Sequence, residues 1–264
     1  MNISKFIAKL FTSVSNKTLL LIYFGLFFGL SSTLLAQQER HEGGVNLPKF
    51  YKQYIHFGFS IGVNQTDFRI HSLPNSKLYT NFRDTLKYPK DTLSLKAIGS
   101  VPEVGFNLGI VCDVRLQEYV RLRFLPNLSF ASRQLTYSFA GTDTFTVAQR
   151  IESTFINLPI DIKLQSKRMK NFGAYVVGGG SYTIDLSSGK RQRASDEVVR
   201  LNQTDLYYQG GGGVDFYLPY FKLSLEMKLS IGMKNILIKD GTIFSTPIDK
   251  LNSRVFLFSI TFEG

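Results

Sequence analysis

The sequence has no tryptophan, a single cysteine and only three histidines in 264 residues. One thiol, Cys112, excludes an internal disulfide framework, and on an apolar strand face it reads as a small hydrophobe. His41, His56 and His71 form no H-E-x-x-H pair and no cluster with the cysteine, and there is no D-x-D-x-D-G loop. No metal site and no cofactor is therefore expected. After residue 36 there is no helix-period segment of useful length and no long apolar run. With 44% apolar residues the chain is neither a bundle of transmembrane helices nor a disordered one.

The one long apolar run comes early. Lys5, Lys9 and Lys17 lead into Leu19–Leu30, "LLLIYFGLFFGL", and "SSTLLAQQ" offers Ala36 as a cleavage point. The layout predicts a secretory signal peptide over 1–36, a periplasmic lead over 37–54 and a barrel domain over 55–264. An uncleaved helical anchor would need a longer run, nearer ~20 residues. The net charge of +11 falls to +8 once the three lysines of 1–36 are removed. An exported chain does not meet nucleic acid, so this charge is expected to face anionic lipid headgroups and lipopolysaccharide, or simply to solvate loops.

What the chain has in abundance is alternation. In Phe221–Met233, "FKLSLEMKLSIGM", every second residue is large and apolar, the two-residue period of a β-strand with unlike faces. The pattern recurs in "IHFGFSIGVNQTDF", "EVGFNLGIVCDVRL", "YVRLRFLPNLSF", "FINLPIDIKL" and "RVFLFSITFEG". Two glycine-rich runs, "NFGAYVVGGGSYTIDL" and "LYYQGGGGVDFYL", bring the total to eight. The connections tend to alternate long and short: 71–102 long, 117–119 tight, 140–145 intermediate, 166–171 short, 188–204 long, 219–220 tight and 239–250 long. This predicts an all-β, membrane-spanning, antiparallel up-and-down barrel of eight strands, with both termini on the short-turn, periplasmic side of the outer membrane.

Volume decides which face is which. An eight-stranded barrel has room inside for modest side chains only, so the bulky face is expected to meet lipid. Phe57, Phe106, Leu122, Leu225, Leu229, Phe258 and Phe262 belong to it. The opposite face carries glycines and charges of both signs: Asp113, Arg115, Arg121, Arg123, Glu226 and Lys228. These are expected to form a structural polar network that plugs the lumen and leaves little conductance. A soluble lipocalin-like barrel would reverse the two faces. Pro126 and Pro159, inside strand runs, are expected to mark bulges or strand ends near the rim.

Motifs with chemistry are sparse. Gly58–Gly62, "GFSIG", matches G-x-S-x-G, but a nucleophile elbow needs a strand-to-helix turn, and here alternation continues on both sides. His56 shares a face with Ser60, yet four residues of strand put about 13 Å between them at ~3.3 Å per residue. No catalytic residue is expected. Gly178–Gly180 and Gly210–Gly213 lack a following G-K-[ST], and glycine in strands more simply allows tight curvature and close backbone approach. "KRQR" at 190–193 is a basic loop.

Several segments resemble a known family. "HFGFSIGVNQTDF", "PEVGFNLGIVCDVRLQEYVRLRFLPNLSF", "IESTFINLPIDIKLQSKR", "AYVVGGGSYTIDL", "YYQGGGGVDFYLPYFKLSLEMKLSIGMKNIL" and "IDKLNSRVFLFSITFEG" are similar to the PorT family of outer-membrane barrels of Bacteroidetes. The resemblance implies an assembly or accessory component of the type IX secretion system. Such a component supports export of cargo bearing a C-terminal signal domain and, in gliding species, surface motility. Its partners would be other secretion components, with no nucleic acid and no small-molecule substrate, and it brings no catalytic residues to carry over. A cell-envelope or adhesion barrel and an outer-membrane lipid-modifying enzyme are the rival classes.

Overall fold

Two-residue alternation fixes strands, and in the computed structural model those strands join into a closed wall. The structure describes residues 44–72, 94–140, 144–188, 199–240 and 244–264. The expected signal peptide, the lead before residue 44 and the "KRQR" loop lie outside the described residues. The strands are β1 (Ile55–Ser72), β2 (Ser94–Arg115), β3 (Val120–Phe124), β4 (Asn127–Ala140), β5 (Thr144–Gln165), β6 (Phe172–Asp185), β7 (Thr204–Tyr217), β8 (Lys222–Gly232) and β9 (Ile248–Glu263). A 3-10 turn, Phe50–Lys52, precedes them.

All pairings are antiparallel, and β1 pairs with both β2 and β9, which closes the ring. Phe124↔Ile160 and Asn127↔Asn157 keep one register with β5, and Cys112↔Phe124 and Gly109↔Asn127 keep one with β2. β3 and β4 are thus a single stave interrupted at Leu125–Pro126, so the nine segments make eight staves. Closure leaves no sheet edge within the ring.

Three expectations need correction. Pro126 does fall between strand ends, those of β3 and β4, but neither proline marks a bulge or the rim. They lie on adjoining staves in mid-wall, where the Leu125 N–H donates to Pro159 O at 3.4 Å and the Ile110 N–H to Pro126 O at 3.0 Å. Proline nitrogen returns no bond, so the ladder thins there without slipping. The strand expected to begin after residue 102 begins at Ser94, and the connection expected over 140–145 shrinks to 141–143.

The reason is a change of sign along the wall. In the turn-side part of β5, Ile156, Leu158, Ile160, Ile162 and Leu164 point outward and Asp161 and Lys163 inward. Higher up the same strand, Thr146, Arg150, Glu152 and Thr154 point outward and Val147 and Ile151 inward. β4 switches likewise, from Leu128 and Phe130 outside to Gln134, Thr136 and Ser138 outside, with Leu135 and Tyr137 turning in. β1 changes between Val63 and Gln65, and β9 between Phe256 and Arg254. The outward apolar stretch of β1 runs from Ile55 to Val63. At ~3.3 Å per residue and a tilt of ~40° it stands roughly 20 Å tall, close to the ~25 Å apolar band of outer-membrane barrels.

Above that band the inward side chains form a soluble-type core. Phe68, Leu135, Tyr137, Ile151, Ile248 and Leu251 pack with Val199, Leu201, Ile236, Leu237 and Phe244 from the long connections. A Leu201↔Leu237 bridge and the bond from Ile236 N–H to Leu251 O, at 3.0 Å, tie those connections across the mouth. At the turn end, Leu47 and Phe50 of the lead pack on Tyr217. The Arg168 guanidinium holds the lead in place by donating to Asn46 O and, at 3.2 Å, to Leu47 O.

Candidate functional site

Between the Leu47–Phe50 cluster, which plugs the turn end, and the Leu201–Leu237 layer, which caps the other, the lumen is filled from below by ions. Arg123, on β3, is fully buried and reaches three carboxylates: Asp113 at 3.0 Å, Glu226 at 3.0 Å and Glu263 at 2.9 Å. The planar guanidinium suits this, because its donors fan out in one plane toward several acceptors. Glu263 also takes Lys222 at 2.6 Å, and Glu226 takes Lys228 at 3.1 Å and the Tyr175 hydroxyl at 2.9 Å. Lys228 continues to Asp161 at 2.8 Å, while Lys163 pairs with Asp215 at 2.9 Å and lies 3.6 Å from the centroid of the Tyr175 ring. Five buried cations (Arg121, Arg123, Lys163, Lys222, Lys228) face five buried anions (Asp113, Asp161, Asp215, Glu226, Glu263), so this layer is neutral. Neutrality matters because an unpaired buried charge would cost several kcal/mol.

Of the six polar residues singled out from the sequence, Asp113, Arg123, Glu226 and Lys228 are brought into one network. Arg121 instead donates to Gln165 at 3.1 Å. Arg115 is half-buried at the end of β2, with no ion pair among the described residues. Sequence reasoning missed Asp161, Lys163, Asp215, Lys222 and Glu263. Inward parity on a turn-side strand segment selects all five.

Above the ions runs a belt of amides and hydroxyls. Asn64 donates to Asn107 and, at 3.2 Å, to Ser129; Asn157 donates to Asn127 at 2.8 Å; Thr183 donates to Asn157 at 2.8 Å. The belt surrounds a cavity of about 60 Å³. That exceeds the ~10–15 Å³ that a cavity needs to hold a water, and its polar lining suits one. Higher still, the Arg133 guanidinium sits 4.3 Å from the Phe68 ring centroid and 5.1 Å from that of Phe155. The seven bulky residues named from the sequence all project outward, Phe57, Phe106, Leu229 and Phe258 exposed and Leu122, Leu225 and Phe262 half-buried.

The G-x-S-x-G match resolves into wall. Ser60 accepts from the Thr261 hydroxyl at 3.2 Å, whereas the His56 ring stacks on Phe50 with centroids 3.6 Å apart and its Nε2 lies 2.9 Å from Phe50 O. The structure does not bring the two together. Among the described residues no group of three or more His, Cys, Asp or Glu is arranged to hold a metal ion.

A family model described as an outer membrane protein beta-barrel domain matches residues 35–237. The chain belongs to that family. No curated protein matches the sequence. Solved structures similar to this outer-membrane barrel include OprG of Pseudomonas aeruginosa, 14% identical, with 79% of this chain and 92% of that one covered and a TM-score of 0.37. Another is Ail, the attachment invasion locus protein of Yersinia pestis, 12% identical, with 80% and 100% covered and a TM-score of 0.32.

As an outer-membrane barrel the protein has a lumen stoppered by Phe50 below, cross-linked by ion pairs above it and capped by the Leu201–Leu237 layer. Single-channel recording in planar bilayers is expected to show no stable conductance of porin size. A steady large conductance would mean that plug or cap leaves the lumen in the membrane.

Proposed function

We propose that this barrel is a structural or accessory component of the type IX protein secretion system. In this reading it supports export of cargo with a C-terminal signal and, in gliding species, motility. The similarity of its strands to the PorT family carries the reading. The filled lumen supports it, because a barrel locked by a charge-balanced layer of ten buried ions offers a rigid scaffold and not a conduit. The outward apolar band, Phe57 and Phe258 included, meets lipid, the short turns and both barrel termini face the periplasm, and residues 1–36 are the export signal. Partners are other secretion components, met through the turns or the long connections.

The test is a deletion strain compared with its complemented parent, quantifying secreted and periplasmic proteins in both. Cargo bearing the C-terminal sorting domain is expected to vanish from the medium and accumulate in the periplasm. An unchanged secretome would overturn the proposal and leave the cell-envelope reading in its place. The lipid-enzyme reading has little to stand on, given the partners of Ser60 and His56.

A further inference from the structure

The two ends of the wall differ in the acids that accompany their cations. At the long-connection end, Arg150 pairs with Glu103 at 3.0 Å, Arg254 with Asp67 at 2.6 Å and Lys239 with Asp249 at 3.5 Å on the outside of the wall, while Arg69, Lys96, Lys234 and Lys250 are exposed and make no ion pair among the described residues. At the turn end, Lys49, Lys52, Lys167 and Lys170 are exposed and make no ion pair among the described residues, and Glu118 is the one exposed acid there among them. Half-buried Arg115 adds to the same surface.

Beside these cations stand large apolar side chains that the fold leaves uncovered. Tyr54 is 76% exposed, Leu116 55%, Met169 64% and Tyr220 72%. They precede β1 or sit on the three short turns, so they are spread around the ring and not gathered on one flank. A folded protein partner would press on one side of such a ring. A flat lipid surface meets all of it at once. Basic side chains that keep their heads at the headgroup level, next to apolar and tyrosyl neighbours, are the mark of a membrane interface.

We propose that the turn end is a docking surface for anionic phospholipid headgroups, so that the barrel gathers acidic lipid around its periplasmic rim. The inference rests on the reading that the short turns face the phospholipid leaflet. Tyr54, Leu116, Met169 and Tyr220 set the depth. Lys49, Lys52, Lys167 and Lys170 supply the attraction, which near an acidic leaflet amounts to about fivefold in binding per unscreened basic residue.

The test is lipid selection in bilayers. The protein is folded into phosphatidylcholine vesicles doped with spin-labelled phosphatidylglycerol or spin-labelled phosphatidylcholine, and the motionally restricted fraction of each probe is measured. Wild type is expected to prefer phosphatidylglycerol by roughly threefold to fivefold, and the preference should fall toward one in 0.5 M salt, where screening lengths shrink to ~4 Å. The K49E/K52E/K167E/K170E variant is expected to lose the preference. A control with equal charge change at the opposite end, K96E/K234E/K239E/K250E, is expected to keep it. Equal association of the two probes with wild type would overturn the inference, as would equal loss in both variants. Those outcomes, read in protein that has inserted and resists protease, leave the barrel reading intact. A chain that inserted into neither bilayer would count against the barrel reading itself.

Discussion

Replacing Arg123 by methionine is expected to cost at least about 3–5 kcal/mol of folding stability, the range for removing one partner of a buried ion pair. The substitution strands three carboxylates at once, but unequally. Glu263 keeps Lys222 at 2.6 Å and Glu226 keeps Lys228 at 3.1 Å, whereas the only ion pair of Asp113 among the described residues is the lost one. Asp113 is fully buried, so its charge has no route to water. Adding Asp113→Asn to the Arg123→Met background should therefore recover a substantial part of the loss. Asp113→Asn in the wild-type barrel should be destabilising, because it takes an anion from a balanced layer. Arg123→Lys should fall between, since one ammonium cannot serve three acceptors spread across the lumen. The readout is the urea midpoint of reversible folding into detergent or lipid. A methionine variant as stable as wild type would show that the network is incidental to the fold.

The ion layer also shows what a sequence discloses and what it withholds. Strand parity is local, so the inward placement of Asp113, Arg123, Glu226 and Lys228 was legible from alternation alone, as was the outward placement of Phe57 and Phe258. Partners were not legible. Arg123 and Glu226 are 103 residues apart and meet only because the stagger of a closed sheet sets which levels face each other across the lumen. The sequence assigned these charges to one network without fixed partners; within it Glu226 meets its near neighbour Lys228, whereas Asp113 turns to Arg123 and not to Arg115.

The upper wall was hidden for a different reason. Residues such as Gln134, Thr136 and Ser138 keep the two-residue period but reverse its sign, because there the outside meets water and the inside is apolar. A search for bulky-outward strands stops at Phe130 and leaves them unassigned. The plug was hidden too. Leu47 and Phe50 belong to no periodic run, and their role depends on Tyr217, His56 and Arg168 closing around them.

Glycine supplies the second large effect, and it splits one short run into opposites. In Gly178–Gly180 the middle residue points inward, where a Cβ would lie 2.1 Å from Ile160 O and 2.7 Å from Asp161 Cα. Those are backbone atoms of the neighbouring stave, held by the ladder and by the Asp161 ion pair, so they cannot swing aside. Gly179→Ala is expected to destabilise by about 3 kcal/mol, the upper part of the range for overpacking, or to block folding outright. Gly178 points outward opposite Gly210, and a Cβ there would come no nearer than 3.9 Å to Gln209 O. Gly178→Ala is expected to be neutral or stabilising by about 0.5 kcal/mol, since glycine is the poorer strand former when nothing crowds it. Gly211→Ala, 2.1 Å from Met227 O, should follow Gly179, and Gly210→Ala, 3.8 Å from Val177 O, should follow Gly178. Urea midpoints of the four variants decide the matter. If all four lose stability alike, the glycines serve curvature of the sheet as a whole. If the inward pair fails and the outward pair does not, close approach of staves in a narrow barrel is the reason the inward glycines are there.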